Sequence, residues 1–213
     1  MKCVALLGVA LTSVWAVPVS AQYTPYAIAV PSERNLSDID RARELMNRYG
    51  LCVVKQHYGL VQRAIAQTDD AAQTRALAKI AQDDCLSTGT LKMSPPLFRG
   101  AVYRALYMRD YALMPRETLS ALVATKLTDD QASINFGACV AKLSPDGARA
   151  LVLSDPATAA EKSAIAALRP SLSDCLPPKA QVRVTMWGLQ ATLSEALYKR
   201  MVALKQAAQG GAK

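Results

Sequence analysis

The sequence predicts an all-α protein made of two tandem, disulfide-stapled helical repeats packed into one body. Three observations carry this. Apolar residues recur at helical spacing along almost the whole chain, no alternating period-two run is bounded by hairpin turns, and one pattern is written twice. Cys52-Val53-Val54-Lys55, Asp84-Cys85-Leu86 and Ala105-Leu106-Tyr107 return as Cys139-Val140-Ala141-Lys142, Asp174-Cys175-Leu176 and Ala196-Leu197-Tyr198, at offsets of 87, 90 and 91. Duplication of an ancestral unit accounts for such regular offsets.

The elements follow in order. Residues 1–21 read as a signal peptide: Met1-Lys2 is the positive start, Val4 to Val17 an apolar run of 14 residues, and Val19-Ser20-Ala21 a small-residue cleavage site. That run is shorter than the ~18 residues a membrane span requires. Cys3 leaves with the signal, and no later stretch is long and apolar enough to span, so a soluble product in the periplasm or secreted medium is expected. The first repeat occupies 36–110, a linker helix 111–127, the second repeat 128–205 and a disordered tail 206–213.

Within the first repeat, Ser37-Asp38-Ile39-Asp40 resembles a capping box, and Leu45, Tyr49, Cys52 and Val53 share a face behind it. His57-Tyr58-Gly59 is expected to end that helix. Leu77, Ala81 and Cys85, four apart, put the second cysteine on a buried stripe. In the second repeat Thr128 to Gln131 has the capping pattern, Phe136, Cys139, Val140 and Leu143 form the stripe, and Ser144-Pro145-Asp146-Gly147 breaks it. Asp155-Pro156 is expected to start the next helix. Proline-bearing loops, Ser87 to Pro96 and Pro177 to Val184, lead to the final helices. Those helices read as amphipathic elements on the protein surface: Phe98, Val102, Ala105 and Leu106 face inward with Arg99, Tyr103 and Asp110 away, and Leu189, Leu193, Ala196, Leu197, Met201 and Leu204 face inward with Gln190, Ser194, Glu195 and Lys199 outside.

Removing the signal leaves four cysteines, an even count that in an exported chain points to two disulfides. Three pairings are possible. A unit that once folded alone closed its bridge inside itself, which selects Cys52 with Cys85 and Cys139 with Cys175. Each bridge would contribute about 3–4 kcal/mol by chain entropy. A structural zinc site needs close cysteine pairs, and none are closer than 33 positions. No metal and no cofactor is expected.

The sequence holds few residues arranged for catalysis. His57 is the one histidine, and Gly-x-Ser-x-Gly, Ser-x-x-Lys, His-Glu-x-x-His and glycine-rich phosphate loops are absent. A hydrolase would have to recruit His57, which stands at an expected helix end where a structural role is commoner. The adjacent pairs Asp69-Asp70, Asp83-Asp84 and Asp129-Asp130 splay by ~100° on a helix and suit capping better than a catalytic dyad. Residues after 21 hold 24 Lys and Arg against 17 Asp and Glu, a net charge of +7. The cations interleave with acids, so no nucleic-acid stripe is expected, while an anionic surface or an envelope protein is a plausible partner. Tyr107 and Tyr198 occupy matched positions, each followed by an arginine two residues on. They either tie core edges or, with Trp187, line a groove between the repeats.

The cysteine helix, the Asp84-Cys85-Leu86 turn, the proline loop and the helix Arg99-Gly100-Ala101-Val102-Tyr103-Arg104-Ala105-Leu106-Tyr107 together resemble a group of secreted bacterial helical proteins of unassigned activity, whose final helix reads Arg-Gly-Ala-Leu-Ala-Glu-Ala-Leu-Tyr. The first copy departs at Tyr103-Arg104 and the second at Gln190-Ala191. The resemblance implies an exported protein and transfers no catalytic residue. The expectation is therefore a non-enzymatic, exported protein that binds another macromolecule. A small-ligand or peptide binder with a cleft between the repeats is the alternative, and a small enzyme around His57 is the third reading.

Overall fold

The structure is a computed structural model that describes residues 35–81, 85–86, 93–114, 132–176 and 184–210. The expected signal peptide, most of the linker helix from 115, the Thr128 to Gln131 cap, most of both proline loops and the acidic pairs Asp83-Asp84 and Asp129-Asp130 lie outside the described residues. Among the described residues there are seven helices and no strand: α1 Asp38–Ile65, α2 Asp70–Ile80, α3 Pro95–Tyr111, α4 Ala132–Leu143, α5 Pro145–Leu153, α6 Ala159–Asp174 and α7 Met186–Gly210. The all-α expectation holds.

Local chemistry explains the helix starts. The Ser37 hydroxyl oxygen accepts the Asp40 N–H at 3.2 Å and donates to the Asp40 carboxylate at 2.7 Å. This hydroxyl, with the Arg43 guanidinium behind it, holds the Asp40 carboxyl below its ordinary range. The cap is thus complete above that range and weakens as the pH falls through it. Asp69 caps α2 by accepting from Ala72 N–H at 2.6 Å. Thr158, rather than Asp155-Pro156, caps α6, accepting from Glu161 N–H at 3.2 Å.

His57 does not end α1. The helix continues to Ile65 through a kink at which His57 has φ −124° and ψ 31°. In the second half the chain breaks fully at Ser144, because Pro145 has no N–H to continue α4. Both interruptions fall five residues after a cysteine, Cys52 and Cys139. Cys85 lies five residues past the end of α2 instead of on it, yet is 1% exposed. The disulfides are Cys52–Cys85 and Cys139–Cys175, each with a Cα separation of 5.8 Å. Helix α7 runs through 206–210, within the span expected as a tail, and residues 206–209 are exposed: Gln206, Ala207 and Ala208 are good helix formers and need no packing to extend a helix already nucleated.

Helices α3 and α7 form the centre, with α1 packed on α3 and α4 on α7; α2 sits against α1 and α3, while α5 and α6 pair beside them. The two central helices run side by side in the same direction, as the contacts Arg99–Glu195, Gly100–Ala191 and Tyr103–Tyr198 show. Gly100 permits this approach. A Cβ there would lie 2.6 Å from the Ala191 Cα, far inside van der Waals contact. Two further contacts have the same form: Gly50 abuts the Ala101 carbonyl and Gly137 the Thr192 carbonyl, positions 87 and 91 residues apart respectively. Gly100→Ala should therefore cost about 1–3 kcal/mol by overpacking, although alanine is the better helix former. Urea unfolding measures it, and Ala191→Gly in the same chain should recover part of the loss. A Gly100→Ala protein as stable as the parent contradicts this account.

The centre corrects the reading of the final helices as surface elements. Every residue of α3 from Gly100 to Tyr107 is buried, Tyr103 and Arg104 included, and on α7 Gln190, Ser194, Glu195 and Arg200 are each at most 4% exposed. Several of their polar groups meet other helices, not water. Arg104 Nε donates to the Val152 carbonyl at 2.8 Å and Nη2 to the Ser154 carbonyl at 3.1 Å, while Gln190 Nε2 donates to the Leu151 and Ser154 carbonyls. These bonds satisfy the carbonyls at the C-terminal end of α5. Gln73 does the same for α1, donating to the Ile65 carbonyl at 3.1 Å and to the Tyr103 hydroxyl at 3.2 Å.

Candidate binding cleft

The groove expected between the halves is absent from the described seam. Trp187 stands there with Asn47, Gly100, Arg104, Gln190 and Ser194 around a gap too small to admit water. Close approach at Gly100 and Ala191 shuts it. Tyr107 and Tyr198 are 0% and 3% exposed, so neither lines a surface groove. Tyr198 serves the structural role instead: its hydroxyl accepts from Gln62 Nε2 at 2.7 Å and donates to Asp110 at 3.4 Å, and its ring packs on Tyr103 and Tyr111. The Tyr107 hydroxyl is buried without a hydrogen-bond partner. Burial pushes the phenols of Tyr103 and Tyr198 far above their usual range, which keeps both neutral at any physiological pH.

Among the described residues a concavity lies within the first half, between α1 and α3. It has a volume of ≈ 630 Å³ and is bounded by Leu51, Val54, Lys55, Gln56, Tyr58 and Gly59 from α1 and by Ala105 and Arg109 from α3. The α1 kink falls inside this run of lining residues. Val54 and Ala105 form a buried apolar floor, whereas Leu51, Lys55, Gln56, Gly59 and Arg109 are exposed at the edges.

Arg109 is held in a fixed pose. Its guanidinium carbon sits 3.4 Å from the Tyr58 ring centroid, a cation–π contact, and its Nε lies 3.8 Å from Asp110. Asp110 is itself anchored, since the Tyr58 hydroxyl donates to it at 3.2 Å. The Arg109 side chain is nevertheless 47% exposed, so donors remain available to a ligand. Among the described residues the lining contains two basic side chains, Lys55 and Arg109, and no carboxylate. In the sequence Arg109 is marked only by its place two residues after Tyr107, and Tyr58-Gly59 beside His57 carries the signal of a helix end, not of a cleft wall.

The His57 Nε2 is buried without a hydrogen-bond partner, and among the described residues His57 neither lines the cleft nor bonds a carboxylate. Among the described residues no group of three His, Cys, Asp or Glu side chains could hold a metal. No described helix is long and apolar enough to cross a membrane. What the cleft can do chemically is bind: an apolar floor takes hydrocarbon, and the exposed Arg109 guanidinium takes negative charge.

Comparison with known proteins gives no match to any family model, to any curated protein or to any solved structure.

Proposed function

We propose that this chain is an exported binding protein that takes an acidic segment of another protein in the α1–α3 cleft. The observation that carries this reading is the pairing of a pre-oriented, exposed Arg109 with the apolar floor of Val54 and Ala105. Orientation matters, because a guanidinium already fixed on Tyr58 loses little rotamer freedom when a carboxylate docks. The lining spans nine positions of α1, roughly 12 Å at helical rise, which is the length of three or four residues of extended chain. Leu51 and Leu60, 36% and 43% exposed, extend the apolar surface on the same helix. The overall excess of positive charge favours the same kind of partner.

Export is supported by the two disulfides, which persist in oxidising compartments. The two-repeat reading belongs to the same proposal. Support for it comes from the matched Gly50–Ala101 and Gly137–Thr192 contacts, the interruptions at His57 and Ser144, and two bridges of the same Cα separation.

The test is fluorescence anisotropy with a labelled peptide that alternates Glu and Leu, beside a control in which Lys replaces Glu. The acidic peptide should bind, and Arg109→Glu should weaken it at least tenfold while leaving the melting temperature within a few degrees. Equal binding of the two peptides, or an Arg109→Glu protein that binds as the parent does, would count against the cleft.

A further inference from the structure

Three arginines are buried among the described residues: Arg43, Arg104 and Arg200, at 3%, 2% and 1% exposure. A guanidinium in the interior is stable when acceptors match its donors and an anion offsets its charge. Arg43 has the Glu161 carboxylate. Arg104 has two backbone carbonyls, with Asp155 at 3.6 Å. Arg200 has neither: its Nε and Nη2 are buried and donate to no protein group. Burial pulls its pKa down, and no carboxylate opposes the shift.

The two orphaned donors belong together. Nε and Nη2 form one edge of the guanidinium plane, the edge that holds two oxygens of one ligand side by side. Arg200 also has a counterpart. It lies 91 residues after Arg109, the same interval that separates Ala196 from Ala105 and Tyr198 from Tyr107. If the halves are duplicated as proposed above, Arg200 looks into the space between α4 and α7 that corresponds to the α1–α3 cleft. Pro145 stands there in place of Tyr58, 87 residues on, so no aromatic ring lies beneath the guanidinium. With 1% of its surface exposed, Arg200 is within reach of a small group only.

We propose that Arg200 is the recognition group of a second, enclosed site, which takes a small oxyanion such as phosphate or sulfate on its Nε and Nη2 donors. Water could satisfy the two donors but would leave the charge uncompensated. The donor geometry does not depend on what occupies the α1–α3 cleft; only the location between α4 and α7 rests on the duplicated arrangement.

Thermal unfolding of the full mature chain tests this, with inorganic phosphate or sulfate titrated at ionic strength held constant by sodium chloride. The parent protein should show a saturable rise in Tm, roughly 5–10 °C at a hundredfold excess over Kd. Arg200→Lys should respond less, because it keeps the charge and loses the fork, and Arg200→Met should not respond. Arg109→Glu should respond as the parent does, so failure of the cleft reading is distinguishable from failure of this one. If Arg200→Met does not fold, phosphorus NMR titration of inorganic phosphate into the parent and Arg200→Lys proteins decides. Glycerol phosphate run in parallel separates a free ion from a phosphoester group, and a response to either supports the site. A parent protein indifferent to every oxyanion, or a response that persists in Arg200→Met, overturns it.

Discussion

Replacing all four bridge cysteines by alanine should unfold most of the protein at room temperature, and removing either bridge alone should lower Tm by roughly 10 °C. The bridges close segments of 33 and 36 residues. By chain entropy each contributes about 3–4 kcal/mol, so together they approach the 5–15 kcal/mol that a domain of ordinary stability has in total. They are not equally protected. Cys85 is 1% exposed, whereas Cys139 and Cys175 are both only half-buried. Under graded dithiothreitol, alkylation followed by peptide mass analysis should find Cys139–Cys175 open first. A four-alanine variant that melts like the parent would show that the helical core needs no staple.

The second large effect concerns the ion pair between Arg43 of α1 and Glu161 of α6. Both side chains are almost wholly buried, at 3% and 5% exposure, and they join the two halves across 118 residues of sequence. Glu161 also accepts the N–H of Ala157, the one described non-glycine residue with positive φ, at 60°. The carboxylate therefore holds both an opposing helix and the strained entry to its own helix. Arg43→Met takes away the guanidinium bonded to that buried carboxylate, leaving only the unbonded charge of Arg104 in range, and should cost about 3–5 kcal/mol. Arg43→Met with Glu161→Met removes both charges and should recover most of the loss, since apolar replacement of a whole buried pair is often neutral. Urea unfolding of the four proteins in a double-mutant cycle measures the coupling. A single variant no less stable than the parent, or a double variant as weak as the sum of the singles, would place the main stabilisation elsewhere.

The two effects differ in how visible they are in the sequence. The bridges follow from four cysteines repeated at nearly constant offset, a pattern that needs no knowledge of packing. Arg43 and Glu161 carry no such mark. On a linear chain Arg43 sits among Asp40, Arg41 and Glu44 and looks like any solvated helix face. The final helices misled for the same reason: Tyr103, Arg104, Gln190, Ser194 and Glu195 occupy polar positions, and helical periodicity cannot tell water from a second helix with matching groups. Arg104 could be assigned inward only once the Val152 and Ser154 carbonyls were seen to end beneath it.

The site was less legible than the fold. Tyr107 and Tyr198 stand at matched positions of the sequence pattern, and both are interior, 0% and 3% exposed. The cleft uses Tyr58 and Arg109, of which the first has no tyrosine counterpart. Eighty-seven residues after Tyr58, Pro145 breaks the helix outright, whereas at His57 the helix only bends and continues as one wall of the cleft.

The sequence by itself determined the helical class, the bridge pairing and several caps, because each depends on residues close in the chain or on a repeated spacing. Tertiary structure alone decided which polar faces meet each other, that the seam at Gly100 and Ala191 is closed, and that a stacked Arg109 reaches solvent while Arg200 does not. Those outcomes depend on the distance between backbones that are far apart in sequence. A difference as small as one Cβ, absent at Gly100 and present at Ala191, sets that distance.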